Sequence, residues 1–226
     1  MRMETLPLTT SVNREYALRL AGVALLFAAL TGWFLYDGAI GYPKENAAVA
    51  PIAAELAQAN LPAADWMNGA KTGVAPLTEA FERRGLRVPG RISETFSSWL
   101  SASDPLATNP EAAAAVLTAP VHSEDDIRAQ YISAVLGVLA SLGLLGLLAF
   151  RLATRFELTE ETLTVRVCGY SREWTLSELA AIDQSQWEKR GILKLRFPQG
   201  SVTLDAWHYA GIRPIVERLL ARKAEA

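Results

Sequence analysis

The sequence predicts a membrane protein of mixed α and β class. It has two transmembrane helices, an extracytoplasmic α-helical segment between them, and a C-terminal antiparallel β barrel or sandwich with a C-terminal helix. Three observations carry this reading. Residues 20–36 and 131–150 are apolar runs without a single charge. The stretch between them concentrates proline, and beyond residue 155 the apolar positions begin to alternate. A helix needs about 20 apolar residues to cross about 30 Å of hydrocarbon. Inside lipid only a helix or a closed barrel satisfies its own backbone, so each run reads as a span.

Residues 1–15 read as a short, mobile cytoplasmic arm. Residues 16–36 form the first span, too long and too poor in A-x-A-like sites for a cleaved signal peptide. Small residues at four-residue spacing, Ala24, Ala28 and Gly32, mark a stripe on which a second helix or a second copy packs closely. The alternative is that alanine and glycine are simply common in spans. Tyr36-Asp37-Gly38 and Tyr42-Pro43 mark the helix exit, held by interface aromatics.

Residues 37–128 carry seven basic and twelve acidic side chains, a net of −5, and 8 of the chain's 11 prolines. They read as short helices between proline breaks. Pro43 opens one toward Asn60, bent at Pro51. Others cover residues 77–84 with Gly85 as stop, residues 93–101 with Ser93 as cap, and residues 109–117 with Asn109 as cap and Pro110 at the first helical position. Sparse apolar anchors predict a modest, partly ordered cap. Ser123 and Asp126 then cap the second span, residues 129–152, where Ser133, Gly137 and Ser141 repeat the small-residue spacing. Neither span holds an ionisable residue between its ends, which argues against a proton relay or ion pathway. Arg14 and Arg19 precede the first span, and Arg151 and Arg155 follow the second. By the positive-inside rule both termini are cytoplasmic, in a cell (inner) membrane.

Residues 153–226 change period. Leu163, Val165 and Val167 alternate with polar residues, as do Leu193, Leu195 and Phe197, then Val202 and Leu204. Turns fall at Cys168-Gly169, Arg190-Gly191 and Pro198-Gln199-Gly200, and residues 174–176 and 180–186 add short strands. Ile212, Ile215, Val216, Leu219 and Leu220 then form one face of a closing helix.

The strand series with its final helix, and Trp174-Thr-Leu-Ser-Glu-Leu entering Ile182-Asp, resembles bacterial pleckstrin-homology-like domains. Together with Trp187-Glu-Lys-Arg-Gly191, Leu204-Asp-Ala-Trp207 and the Tyr-Asp-Gly exit, the chain is similar to uncharacterised two-pass bacterial membrane proteins carrying such a domain. The resemblance implies the fold far more than a function, because its motifs are structural turns rather than catalytic signatures. Phosphoinositide-binding members cluster Lys and Arg at the first strand pair. Here that turn is Thr159-Glu-Glu-Thr162, which repels a phosphate.

Reaction chemistry finds no footing. The two histidines, His122 and His208, fall in different segments, and the lone Cys168 excludes CxxC metal or redox chemistry. There is no P-loop, G-x-G-x-x-G or G-x-S-x-G, so neither cofactor nor metal is expected. No segment is basic enough for nucleic acid, and no small-molecule substrate is indicated. The leading expectation is protein–protein assembly or scaffolding through the cytoplasmic domain, with a protein partner or self-association. Lipid or headgroup sensing is the alternative, and an enzyme of unknown reaction comes third. Trp187, Lys189 and Arg190 are the candidate partner contact, read as an exposed hairpin tip, whereas Trp207, ending a strand, is expected in the core.

Overall fold

The computed structural model describes residues 7–68 and 76–225; residues 1–6 of the expected arm lie outside them. The chain divides into two compact units, Met1–Ala29 with Gly137–Ala226, and Leu30–Leu136. Two helices run through both. Helix α1, Arg14–Tyr36, starts where Asn13 Oδ1 accepts the amide of Glu15 at 3.0 Å. Helix α2, Tyr42–Gln58, follows without a break, because Asp37–Gly41 makes a π-helical turn. The expected helix exit is therefore corrected. Pro43 falls in the first turn of α2, where its missing N–H costs little, and the amide of Tyr42 still pairs with the Asp37 carbonyl.

The run Arg14–Gln58 and a later helix, Glu124–Leu152, are each long and apolar enough to cross a membrane. Their apolar windows are only 11% and 17% buried. Leu25, Leu26, Leu136, Leu139 and Leu142 stand exposed along them.

In the helical unit, α3 (Ala63–Asn68), α4 (Pro76–Glu82), α5 (Gly90–Ser101) and α6 (Pro110–Thr118) follow α2, and Glu124–Leu152 is α7. Asn109 caps α6 as expected, accepting from the amides of Glu111 and Ala112 at 3.0 and 3.3 Å. Ser123 and Asp126 form the expected reciprocal cap of α7. The Asp126 carboxylate accepts the Ser123 amide at 2.8 Å, and Ser123 Oγ accepts the Asp126 amide at 3.1 Å. The Ser123 amide and hydroxyl both donate to the Asp126 carboxylate and hold it below its ordinary value, the backbone bond contributing most.

Two expectations fail here. Helix α5 starts three residues before Ser93, since the Pro89 carbonyl accepts the amides of Ile92 and Ser93. Nor are the anchors sparse. Trp66, Phe81 and Phe96 are fully enclosed with Ile52, Leu77, Ile92 and Leu117, among buried Ala53, Ala63, Ala80, Ala107 and Ala113. Trp66 and the short α3 that carries it went unread, because a six-residue helix shows too little period.

The other unit is built on antiparallel strands. The expected arm is corrected: Leu8–Thr9 (β1) pairs with Thr154–Leu158 (β3), and Ser11–Val12 (β2) pairs with Tyr209–Ala210 (β9). Thr10 between them is buried, and its hydroxyl accepts the Phe156 amide at 2.9 Å. Strands β4 (Thr162–Val167) and β5 (Tyr170–Thr175) complete a sheet in the order β1-β3-β4-β5. A second sheet runs β6 (Ala181–Asp183), β7 (Ile192–Phe197), β8 (Gly200–Asp205). Cys168 and Gly169, at φ 47° and 87°, form the two-residue turn that joins β4 to β5.

Alternation works as the sequence predicts. Leu193, Leu195 and Phe197 point inward while Lys194 and Arg196 point to solvent, with Leu193 opposite Leu204 and Leu195 opposite Val202. Helix α9, Ile212–Glu225, closes the core with Ile212, Ile215, Val216 and Leu219. Gly211 enters it at φ 86°, and a Cβ there would lie 2.8 Å from the Thr9 carbonyl oxygen.

Candidate functional site

Trp187, Lys189 and Arg190 lie on a four-residue helix, Trp187–Arg190 (α8), in the connection between the antiparallel strands β6 and β7. Gly191, left-handed at φ 64°, ends it by donating its amide to the Trp187 carbonyl at 2.8 Å. Upstream, the Asp183 carboxylate accepts the Ser185 amide at 3.0 Å. Hydrogen bonds from Ser185, side chain first, hold its carboxyl below the ordinary value, with Arg196 and Lys194 adding to the effect.

The two tryptophans exchange their expected places. Trp187 is half-buried against the core, and Trp207 is 64% exposed. The cause is local. The Asp205 carboxylate accepts the amides of Trp207 and His208, at 2.8 and 3.4 Å, so the chain turns as soon as β8 ends. Trp207 swings out, and Trp174 and Tyr209 fill the core instead. Both tryptophans line a recess of about 320 Å³ with Asn13, Arg190 and Arg213. Lys189, Arg190 and Arg213 have no ion-pair partner among the described residues.

A larger groove, about 560 Å³, was not legible in the sequence. It touches Tyr170, Ser171 and Arg172 of β5 and Ser201, Val202 and Thr203 of β8. Successive strand residues point to opposite faces, so contact with consecutive residues on both strands means that the groove follows their edges. Each strand is paired on one side only. One end is closed: the Arg172 guanidinium stacks 4.1 Å from the Trp174 ring and donates to the Gln199 carbonyl at 2.9 Å. At Gly200 a Cβ would meet that ring at 3.1 Å. The floor is apolar, with Phe156, Val165 and Val167, and Phe150 and Arg151 of α7 line it too. Arg151 reaches Tyr209 Oη at 3.4 Å while its buried Nε has no hydrogen-bond partner. The sequence signal was faint because β5 is mostly polar and exposed, with Trp174 its one buried residue.

The small-residue stripes divide. Ala24, Gly137 and Ser141 are buried, Ser133 is half-buried, and Ser141 Oγ donates to the Ala24 carbonyl at 3.1 Å. Ala28 and Gly32 are exposed, so they do not face the other helix. On α1 the covered positions are Ala24, Phe27, Thr31 and Phe34, alternating three and four residues apart. That is the period of a left-handed crossing, which rotates a strict four-residue stripe out of contact.

The two histidines and the cysteine line neither recess. His122 stacks on Tyr42 with ring centroids 3.7 Å apart and meets Glu45 at 3.0 Å, while Asn46 exchanges two hydrogen bonds with the His122 backbone. His208 is held by Asp205 at 2.6 Å, and Cys168 is exposed in its turn. Among the described residues no group of three His, Cys, Asp or Glu side chains could hold a metal ion. No family model matches the chain, and neither the curated proteins nor the solved structures contain a match.

Proposed function

We propose that the chain is a non-enzymatic two-span membrane protein with both termini cytoplasmic, whose pleckstrin-homology-like sheet domain takes an extended segment of a partner protein. The exposed leucines along α1 and α7 support insertion, because soluble monomers rarely leave so continuous an apolar surface in water. Arg14, Arg19, Arg151 and Arg155 support the orientation. The two sheets closed by α9 support the pleckstrin-like reading.

One observation carries the assembly role: two unpaired sheet edges border a single apolar groove. Unpaired strand N–H and C=O groups template another strand, and pockets beneath take its alternate side chains. The Arg151 guanidinium, which lines the groove, favours an acidic side chain or a terminal carboxylate there.

The test is a selection of peptides on the full chain in detergent, followed by amide exchange. Bound peptides should protect the amides of Ser171–Arg172 and Ser201–Thr203, and Val167→Glu, charging the floor, should abolish binding. Peptides that protect residues 187–190 instead, and ignore Val167→Glu, would refute the groove as the docking site.

A further inference from the structure

We infer that the corner formed by Trp187, Trp207, Lys189, Arg190 and Arg213 is a seat for anionic phospholipid headgroups. It presses the sheet domain onto the membrane face from which its own helix rises. The inference rests on the two-span reading and on a surface separate from the groove.

The corner sits at headgroup depth. Asn13 lines the recess and is also the cap of α1. Its amide donates to the His208 carbonyl at 2.8 Å, and Tyr16 of α1 meets His208 edge-on at 4.5 Å, so the turn carrying Trp207 is held to the foot of that helix. The uncharged run begins at residue 20. At 1.5 Å per residue, the corner lies about 10 Å below the hydrocarbon edge, within reach of the headgroup layer for tryptophan and arginine side chains.

Its composition suits an anionic interface. Trp207 leaves 64% of its surface uncovered beside a membrane helix, and an indole, apolar with one N–H, is favoured at that interface. Three cations, Lys189, Arg190 and Arg213, line the recess beside it. Glu188 is the one acid lining the recess, and the nearby Asp205 is already engaged by His208. A protein partner would also accept tryptophan and arginine, but nothing in its chemistry requires them at this depth.

The experiment places the full chain in phosphatidylcholine vesicles whose acyl chains are brominated near the headgroup, with or without phosphatidylglycerol. Bromine quenches nearby indoles, so the quenching lost in Trp207→Phe reports Trp207, and that lost in Trp33→Phe reports insertion of the first span. The Trp207 share should rise with phosphatidylglycerol and fall with added salt. Each of Lys189→Gln, Arg190→Gln and Arg213→Gln should cut the ratio of seated to lifted domain by about five-fold. If Trp33 is quenched and Trp207 is not in either lipid, the seat is overturned while the two-span reading stands, and the corner is left to a protein partner. If neither is quenched, both fall.

Discussion

The helical unit and the sheet unit enclose apolar cores by opposite means. In the first, Trp66, Phe81 and Phe96 are surrounded by buried alanines, whose small side chains let short helices approach one another. In the second, leucines, phenylalanines and Trp174 come from alternate positions of paired strands, with four residues of α9 as a lid. The sheet core advertises itself, since each strand repeats its pattern every second residue. The helical core does not, because its contacts join residues brought together only by tertiary folding, and alanine carries little apolar signal of its own. A region can look weakly anchored and still be densely filled.

The sharpest way to break this comparison is to remove one aromatic from each core. Trp66→Ala and Trp174→Ala should each cost about 3–5 kcal/mol, the usual range for a buried large aromatic. Within the sheet unit the series should continue downward. Trp187→Ala, half-buried, should cost about 1–2 kcal/mol, and Trp207→Ala should fall within about 0.5 kcal/mol. Proteolysis of the full chain in detergent against temperature, with cleavage sites mapped, reads each unit separately. A Trp66→Ala helical unit that melts at the wild-type temperature would restore the reading of a loose cap.

Filling space gives a smaller effect. Ala24→Leu should destabilise by about 1–3 kcal/mol, because it forces a branched side chain where Ser141 bonds the Ala24 backbone. Ala28→Leu, on the exposed face, should change the melt by less than about 0.5 kcal/mol. Equal effects would return the contact to a four-residue stripe.

The smallest effect concerns two carboxylates, one per unit. Asp126 and Asp183 are both held below the ordinary carboxyl value of 3.8 by hydrogen bonds from a nearby serine. A carboxyl lowered in the folded state stabilises above its unfolded value, and that contribution is lost as pH falls through the lowered one. Both should therefore stay ionised to below pH 3.8. Carboxyl chemical shifts followed against pH should show it, and Ser123→Ala should return Asp126 toward the ordinary value while leaving Asp183 unchanged.

Read by itself, the sequence determined what depends on short-range order. The uncharged runs, the caps at Asn109 and Ser123, the strands around Leu163 and Leu193 and the face of α9 are each written within a few neighbouring residues. Tertiary structure decided everything that depends on what lies opposite. Residues 8–12 became strands only because β3 and β9 offered edges to pair with. Trp207 left the core because the Asp205 carboxylate turned the chain, and Trp174 and Tyr209 occupied the space it was expected to fill. The groove between β5 and β8 left only a faint sequence mark, since a missing partner strand is a property of the assembled sheets. Periodicity records which face of an element is apolar; it does not record what that face will meet, and the candidate site is made of such meetings.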